Sequence, residues 1–184
     1  EQEISEFNKR INKWLDQSKT FYVAEPKIDG LGVSLIYKNG KLVRALTRGD
    51  GYSGEDITHN IKTINAVPMI LRGENYPSFL EIRGEIFMLK SDFEILNKAR
   101  AHVGEKLFAN ARNAAAGSVR QLDPNITSRR KLSIFCYELG ASDGLDVNTH
   151  WDMLSYLKSI GLPVNPLAKK IDSIDNMILY HQDL

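Results

Sequence analysis

The chain has one cysteine, so no disulfide can form within it. Cys136 lies in the apolar run from Leu132 to Leu139, where a buried thiol fits better than a reactive one. Histidine is also sparse. His59, His102, His150 and His181 show no metal-ligand spacing, and no metal held by His or Cys is expected. No apolar run approaches the roughly 20 residues of a membrane-spanning helix, and there is no signal-peptide pattern. Repeats and low-complexity tracts are absent. The formal net charge is only +1, so bulk electrostatics argue for neither a nucleic acid nor a membrane as partner. What remains is an intracellular protein or a piece of one. The chain opens without Met inside a helical pattern, which suggests a fragment.

At 184 residues, 42% apolar and 26% charged, the composition is that of one globular domain able to bury a core. Its charge is uneven. Lys98 to Lys131 carries eight basic residues against two acidic ones, whereas Gly140 onward carries three lysines against six aspartates. Such asymmetry allows a basic patch in the middle segment.

Residues 4 to 15 place Ile4, Phe7, Ile11, Trp14 and Leu15 at helical spacing. Leu31 to Tyr37 reads as a strand, Asn39-Gly40 as a two-residue hairpin turn, and Lys41 to Thr47 as the return strand. An antiparallel hairpin here argues against a parallel nucleotide-binding sheet. The stretch from Thr47 to Asp56 packs three glycines into a polar loop without a Walker or dinucleotide fingerprint. Asp56 or Thr58 is expected to cap a short helix carrying Ile61 and Ile64. Leu80 to Met88 alternates, with Leu80, Ile82, Ile86 and Met88 on one face and Glu81, Arg83 and Glu85 on the other. Such a charged row is ordinarily a solvated face, although Gly84 permits close approach. Ser91-Asp92-Phe93-Glu94 has the form of a capping box, opening a helix to about Arg100.

Phe108 to Leu122 is an alanine-rich element on which Arg112 and Arg120, eight apart, fall on one broad side of a helix. Two arginines there suit recognition of phosphate or other anions, against the plainer reading that they are structural. Leu132 to Leu139 reads as a further strand with Phe135 and Tyr137 sharing a face, either filling core or stacking on a base. Thr149 starts a helix ending at Gly161, and Ser173 starts a last helical piece. The class expected is α+β with mostly antiparallel sheets flanked by helices.

Chemistry is expected at Glu25-Pro26-Lys27-Ile28-Asp29-Gly30. Pro26 biases Glu25 toward an extended backbone, where side chains alternate, so that Glu25, Lys27 and Asp29 share a side. A lysine amine attacks only after losing its proton, and the flanking carboxylates oppose that loss until a substrate or metal offsets them. Taken alone, the pattern describes a surface lysine between acids better than a catalytic one.

In order, Glu25-Pro-Lys27-Ile-Asp29-Gly30, Thr47-Arg48-Gly49-Asp50-Gly51, Glu81-Ile-Arg83-Gly84-Glu85, the block from Phe108 through Arg112 and Arg120 to Pro124, and Phe135-Cys-Tyr137 closely resemble the adenylation domain of bacterial NAD-dependent DNA ligases. The Lys-x-Asp-Gly element is common to all covalent nucleotidyltransferases, including ATP-dependent ligases and capping enzymes. The long alanine-rich block is specific to the NAD-dependent branch. The resemblance implies a covalent nucleotidyltransferase core in which Lys27 attacks the adenylyl phosphorus of NAD. It places Glu25 and Ile28 beside the adenine, Asp29 near the lysine and ribose-phosphate, Arg48 and Glu85 at the ribose, Tyr137 on the aromatic wall, and Arg112 and Arg120 at phosphate or DNA. It further implies Mg²⁺, nicked double-stranded DNA as partner, a monomer, and a bacterial cytoplasmic, nucleoid-associated location.

By the same resemblance, the helical domain that grips the nicotinamide half would be reduced to a lead-in over residues 1–20, with a partial adenylation domain over 21–184. Later motifs, including a final lysine near the NAD phosphates, would lie past Leu184. The expectation is a truncated domain that recognises adenosine but is poor or inactive with NAD by itself. The alternatives are an ATP-dependent ligase or capping-type nucleotidyltransferase, or a non-catalytic module that binds nucleotide or DNA.

Overall fold

Asn39 and Gly40 turn the chain back on itself. In the computed structural model, which describes residues 2–15, 21–49 and 53–184, both have positive φ, 47° and 71°. That is the condition of a two-residue turn whose twist matches a hairpin. A side chain on Gly40 would also run into the Tyr76 ring.

In chain order the elements are α1 (Gln2–Ile11), β1 (Tyr22–Ala24), β2 (Leu31–Lys38), β3 (Lys41–Thr47), α2 (Thr58–Ile61), β4 (Phe79–Phe87), α3 (Lys90–His102), α4 (Ala111–Val119), α5 (Pro124–Ser128), β5 (Ser133–Ser142), α6 (His150–Ser159), β6 (Lys169–Ile171) and α7 (Ile174–Gln182). Every strand pair among the described residues is antiparallel, in keeping with the α+β class read from the sequence.

The chain divides into two units, Lys27–Asn165 and a two-segment unit of Glu1–Pro26 with Pro166–Leu184. The first is built on a four-stranded sheet in the order β3-β2-β4-β5. One face is apolar: Val33, Leu35 and Tyr37 of β2, Leu80, Ile82 and Ile86 of β4, and Ile134 and Cys136 of β5 are buried. Each large side chain among them stabilises the fold by about 1.5–3 kcal/mol through removal from water. The Tyr37 hydroxyl donates to the Pro68 carbonyl at 2.8 Å, which satisfies the one polar atom this face buries there. Burial pushes the Cys136 thiol up to about 12, so it stays a neutral packing group. Helix α4 lies against β2 and β4, and α6 against β5. Ala114, Ala115 and Val119 of α4 are fully buried, and small side chains let that helix approach the sheet closely.

The two-segment unit pairs β1 with β6, Tyr22 opposite Ile171 and Ala24 opposite Lys169. Helices α1 and α7 are in contact within it, and Phe7 meets Tyr22 with ring centroids 6.4 Å apart.

Three local expectations are corrected. Helix α1 ends at Ile11, four residues before the expected Leu15, and Trp14 stands almost fully exposed. An apolar residue at helical spacing extends a helix only where a neighbour covers it. Helix α2 is a single turn and does not reach Ile64. Helix α3 begins at Lys90, with Leu89 in the extended N-cap position, so the Ser91 capping box is not used. Asp92 instead reaches Lys131, with Nζ to Oδ1 at 3.3 Å. Of the two alternatives read for Phe135 and Tyr137, the structure removes core filling, since both are half-buried on the second, polar face of the sheet.

The start of α2 is held from one residue outside. Asp56 accepts the Thr58 hydroxyl at 2.6 Å and the Thr58 backbone N–H at 3.0 Å. These bonds, the hydroxyl first and then the N–H, hold its carboxyl down at about 2 from an ordinary 3.8, with Arg44 adding a smaller pull. A lowered folded value means that the contribution is complete above 3.8 and disappears as pH falls toward 2. Thermal melts across that interval are expected to show the parent losing stability more steeply than Asp56→Asn. Parallel slopes for the two proteins would remove Asp56 from the account.

Candidate active site

The site forms at the end of the sheet where β2 and β5 begin and β3 and β4 finish. Leu31 pairs with Ile86, Ser133 with Phe87, and Thr47 with Val33. Lys27 and Asp29 are exposed on the segment leading into β2, and Ile28 between them is half-buried, as alternation requires.

Gly30 fixes that segment to β4. A Cβ there would collide with the Ile86 carbonyl, so only glycine lets the two backbones approach this closely. Its N–H donates to Glu85 Oε1 at 3.1 Å. Glu85 is thereby drawn toward the lysine segment, and its carboxylate feels Lys27, Arg112 and Asp29. Arg112, in the first turn of α4, places Nη1 3.2 Å from Asp29 Oδ1. The N-cap of that helix is Asn110, whose side chain accepts the Asn113 N–H at 2.7 Å and so sets the direction in which Arg112 leaves.

On the polar face beside this cluster, Gly32 pairs with Glu85 across the strands. A Cβ on Gly32 would stand 3.5 Å from both Arg48 Cβ and Glu85 Oε2, so the glycine leaves room for those two side chains to lie over β2. The Arg48 N–H donates to the Gly32 carbonyl at 3.0 Å, which carries the arginine just past the last residue of β3. A cavity of about 350 Å³ opens on this face, lined by Ser34, Arg48, Glu81, Arg83, Tyr137 and Glu138 among others. Its tyrosine comes from a β-bulge. Gly84 pairs with Cys136 but Arg83 pairs with Glu138, so Tyr137 and Glu138 stand side by side against one residue of β4. Burial, then the Glu85 charge, raises the Tyr137 phenol. Arg83 pairs with Glu138 at 3.2 Å, and Glu81 accepts the Ser34 hydroxyl at 2.7 Å.

The glycine-rich loop closes over Gly49 and Gly54, where a Cβ would meet the carbonyls of Ser53 and Thr47 respectively. Its return is tied by the Glu55 N–H donating to Thr47 Oγ1 at 3.0 Å. Asp50, Gly51 and Tyr52, part of the motif read from the sequence, lie outside the described residues.

Lys27, Asp29, Glu85 and Arg112 thus come together, with Arg48 and Tyr137 next to Glu85. Arg120 does not share their ion pair. It is the C-cap of α4, and its Nε lies 2.7 Å from Glu55 Oε2. The two arginines expected to act from one side of a helix therefore meet different carboxylates. Glu25 belongs to the other unit, where its charge, after burial, helps to raise the Tyr180 phenol. Ser34, Glu81, Arg83 and Glu138 were not singled out from the sequence. The alternation of β4 marked two of them as a charged row, but nothing in the residue order marks the bulge in β5.

A sequence model of the NAD-dependent DNA ligase adenylation domain matches residues 1–184. The chain belongs to that family. It is 47% identical over 187 residues to a DNA ligase of Geotalea daltonii, covering all of this chain and 28% of that protein. It is 46% identical over 187 residues to a DNA ligase of Nitrobacter hamburgensis, with all of this chain and 26% of that protein covered. For a DNA ligase of Shouchella clausii the figures are 48% over 180 residues, 98% and 26%. The chain spans about a quarter of the length of these curated relatives.

Within this adenylation domain Glu85 is the strained member. Burial raises its carboxyl above the ordinary 4.5, against the lowering effects of the Gly30 N–H, Lys27 and Arg112. Because the fold binds that proton more tightly than the unfolded chain, its stability is complete below 4.5 and declines as pH rises through the raised value. Glu85→Gln keeps an acceptor for Gly30 and removes the charge. It is expected to gain stability relative to the parent between about pH 4 and about pH 8, read as the urea midpoint. A parent–variant gap that does not change with pH would show that the fold does not work against this charge.

Proposed function

We propose that this chain supplies the adenylate-loading part of an NAD-dependent DNA ligase, with Lys27 as the nucleophile. The observation that carries the reading is the convergence of Lys27, Asp29, Glu85 and Arg112 on one end of the sheet in a member of the adenylation-domain family. The neutral Nζ of Lys27 attacks the adenylyl phosphorus of NAD. An N–P bond forms, the P–O bond to nicotinamide mononucleotide breaks and that group leaves with the bonding electron pair, and the proton released by the amine passes to water. The 5′-phosphate of a nick then displaces Lys27 from the adenylate, and the 3′-hydroxyl displaces AMP to seal the strand.

The residues suit an adenylate chemically. Glu85 offers acceptors to ribose hydroxyls, and Arg48 stands beside it. Tyr137 presents a ring to a base, with Ile28 and Glu25 on the adenine side of the assignment. Arg112 and Arg120 offer planar donors to phosphate oxygens. Displacement at phosphorus depends on positioning and on neutralising charge, which is what this set of cations can do. Mg²⁺ is proposed as a cofactor that phosphate oxygens and water would hold with one or two carboxylates at most, and no step is routed through it. Replication and repair, a cytoplasmic, nucleoid-associated location and a monomeric state follow from the same reading. No helix among the described residues is long and apolar enough to cross a membrane.

Lys-x-Asp-Gly also serves ATP-dependent enzymes, and the test separates the two. The chain by itself, and the chain grafted into the Geotalea daltonii ligase in place of its counterpart, are incubated with Mg²⁺ and either NAD or ATP, and their intact masses recorded. The graft is expected to gain one adenylyl group on Lys27 with NAD and none with ATP, and Lys27→Ala to gain none. The isolated chain is expected to label poorly. Labelling from ATP in preference to NAD would transfer the chain to the other branch, and an unlabelled graft would leave a binding module.

A further inference from the structure

Arg120 stands where helix α4 ends, and a helix end is the place where backbone carbonyls lack partners. Here side chains supply them. Asn60 of α2 donates both amide protons of Nδ2, one to the Gln121 carbonyl at 2.8 Å and one to Thr127 Oγ1 at 2.9 Å. The Thr127 hydroxyl, at the end of α5, passes its own proton to the Ser118 carbonyl at 2.8 Å. Gln121 Nε2 donates to the Gly117 carbonyl at 2.6 Å. The carbonyls on either side of Arg120, those of Ser118 and Gln121, are thus both held from outside the helix. Thr127 and Ser118 are fully buried and Asn60 nearly so.

Every proton in this chain of bonds runs one way, from Asn60 through Thr127 to Ser118. A carboxylate at position 60 could not replace the two donors, nor an apolar side chain at 127 the relay. Apolar residues would fill the same space, so packing alone does not call for the polar set; the Ser118 hydroxyl is itself buried without a partner, and it is the bonds from Asn60 and Thr127 that fix one arrangement. The segment that carries Asn60 also carries Glu55, the carboxylate at 2.7 Å from Arg120 Nε. One stretch, leaving the glycine-rich loop, therefore grips Arg120 twice: its guanidinium through Glu55 and the backbone beside it through Asn60.

We infer that Asn60 and Thr127 are positioning residues, a buried clamp that sets the direction in which Arg120 leaves the end of α4. The inference rests on the reading of Arg120 as a group that handles phosphate or DNA, and deepens it.

The test uses the full 184-residue chain labelled with ¹⁵N, in which the Nε–Hε resonances of Arg120 and Arg112 are assigned by their loss in Arg120→Lys and Arg112→Lys. In Thr127→Val the Arg120 resonance is expected to shift and broaden while that of Arg112 keeps its position, and Thr127→Ser is expected to restore the parent spectrum. A folded Thr127→Val, checked by circular dichroism, whose Arg120 resonance stays at the parent position overturns the clamp. Should that variant not fold, Asn60→Ser, which leaves the Thr127–Ser118 bond, is read in the same way. Titration of the same proteins with a nicked duplex bearing a 5′-phosphate separates the two layers. Unchanged affinity in Arg120→Ala sinks the phosphate reading and leaves the clamp to be judged on the resonance. Weakened binding in Arg120→Ala without any weakening in Thr127→Val sinks the clamp and leaves the reading of Arg120 intact.

Discussion

The bond from the Gly30 N–H to Glu85 is the contact on which the arrangement depends. It joins the end of one strand to the lead-in of its neighbour, and it forms only because residue 30 has no side chain to strike the Ile86 carbonyl. With Gly30 fixed, Asp29 and Lys27 are placed one and three residues upstream on a short extended tether. Asp29 then comes within reach of Arg112, which ties the tether to α4. Sheet, lysine segment and helix are therefore registered through the Gly30 amide and the Asp29–Arg112 pair. The cost is carried by Glu85, half-buried and raised by that burial. Strain of this kind gathers where a group is placed for use and not for packing.

Much of the first unit was legible in the residue order because its signals are local. Asn39-Gly40 demands positive φ, and alternation in β2 and β4 separates a core face from a polar one. Thr149 and, in the two-segment unit, Ser173 each accept the N–H three residues on, as helix caps should. Failures came where a distant partner decides. Tyr22 and Ile171 pair across nearly the whole chain, in strands of three residues too short to carry a pattern. Ser91 has the chemistry of a cap, but the helix starts earlier, and Asp92 is engaged by Lys131 from the connection ahead of β5. Trp14 fits the helical period, yet the helix stops short of it.

The candidate site divides in the same way. Lys27, Asp29, Glu85 and Arg112 were named from motif order, and the fold brings them into one cluster. Glu138 was missed because the bulge that turns it beside Tyr137 is a property of strand register, not of composition. The role of Asn60 was equally invisible. Its partners are the Gln121 carbonyl and Thr127, more than sixty residues away, and a buried asparagine looks like any other until those carbonyls are located.

The two arginines of α4 share one physical trait. Arg112 with Asp29 and Arg120 with Glu55 are ion pairs whose four side chains are each about half or more exposed. Exposed pairs contribute on the order of 0–1 kcal/mol, since water and salt compete for both charges. Their energetic value to the fold is therefore small, whereas their effect on geometry is not, because each carboxylate holds a guanidinium in a defined direction. A phosphate offers a guanidinium the same paired acceptor oxygens as a carboxylate and can replace either partner with little loss of stability. On the proposed function, Asp29 and Glu55 act as stand-ins that keep Arg112 and Arg120 extended toward positions a phosphate would fill. Burying the same pairs would defeat this purpose, since breaking a buried pair costs several kcal/mol. Weak ion pairing on a rigidly capped helix is thus the arrangement that leaves both cations oriented and still available.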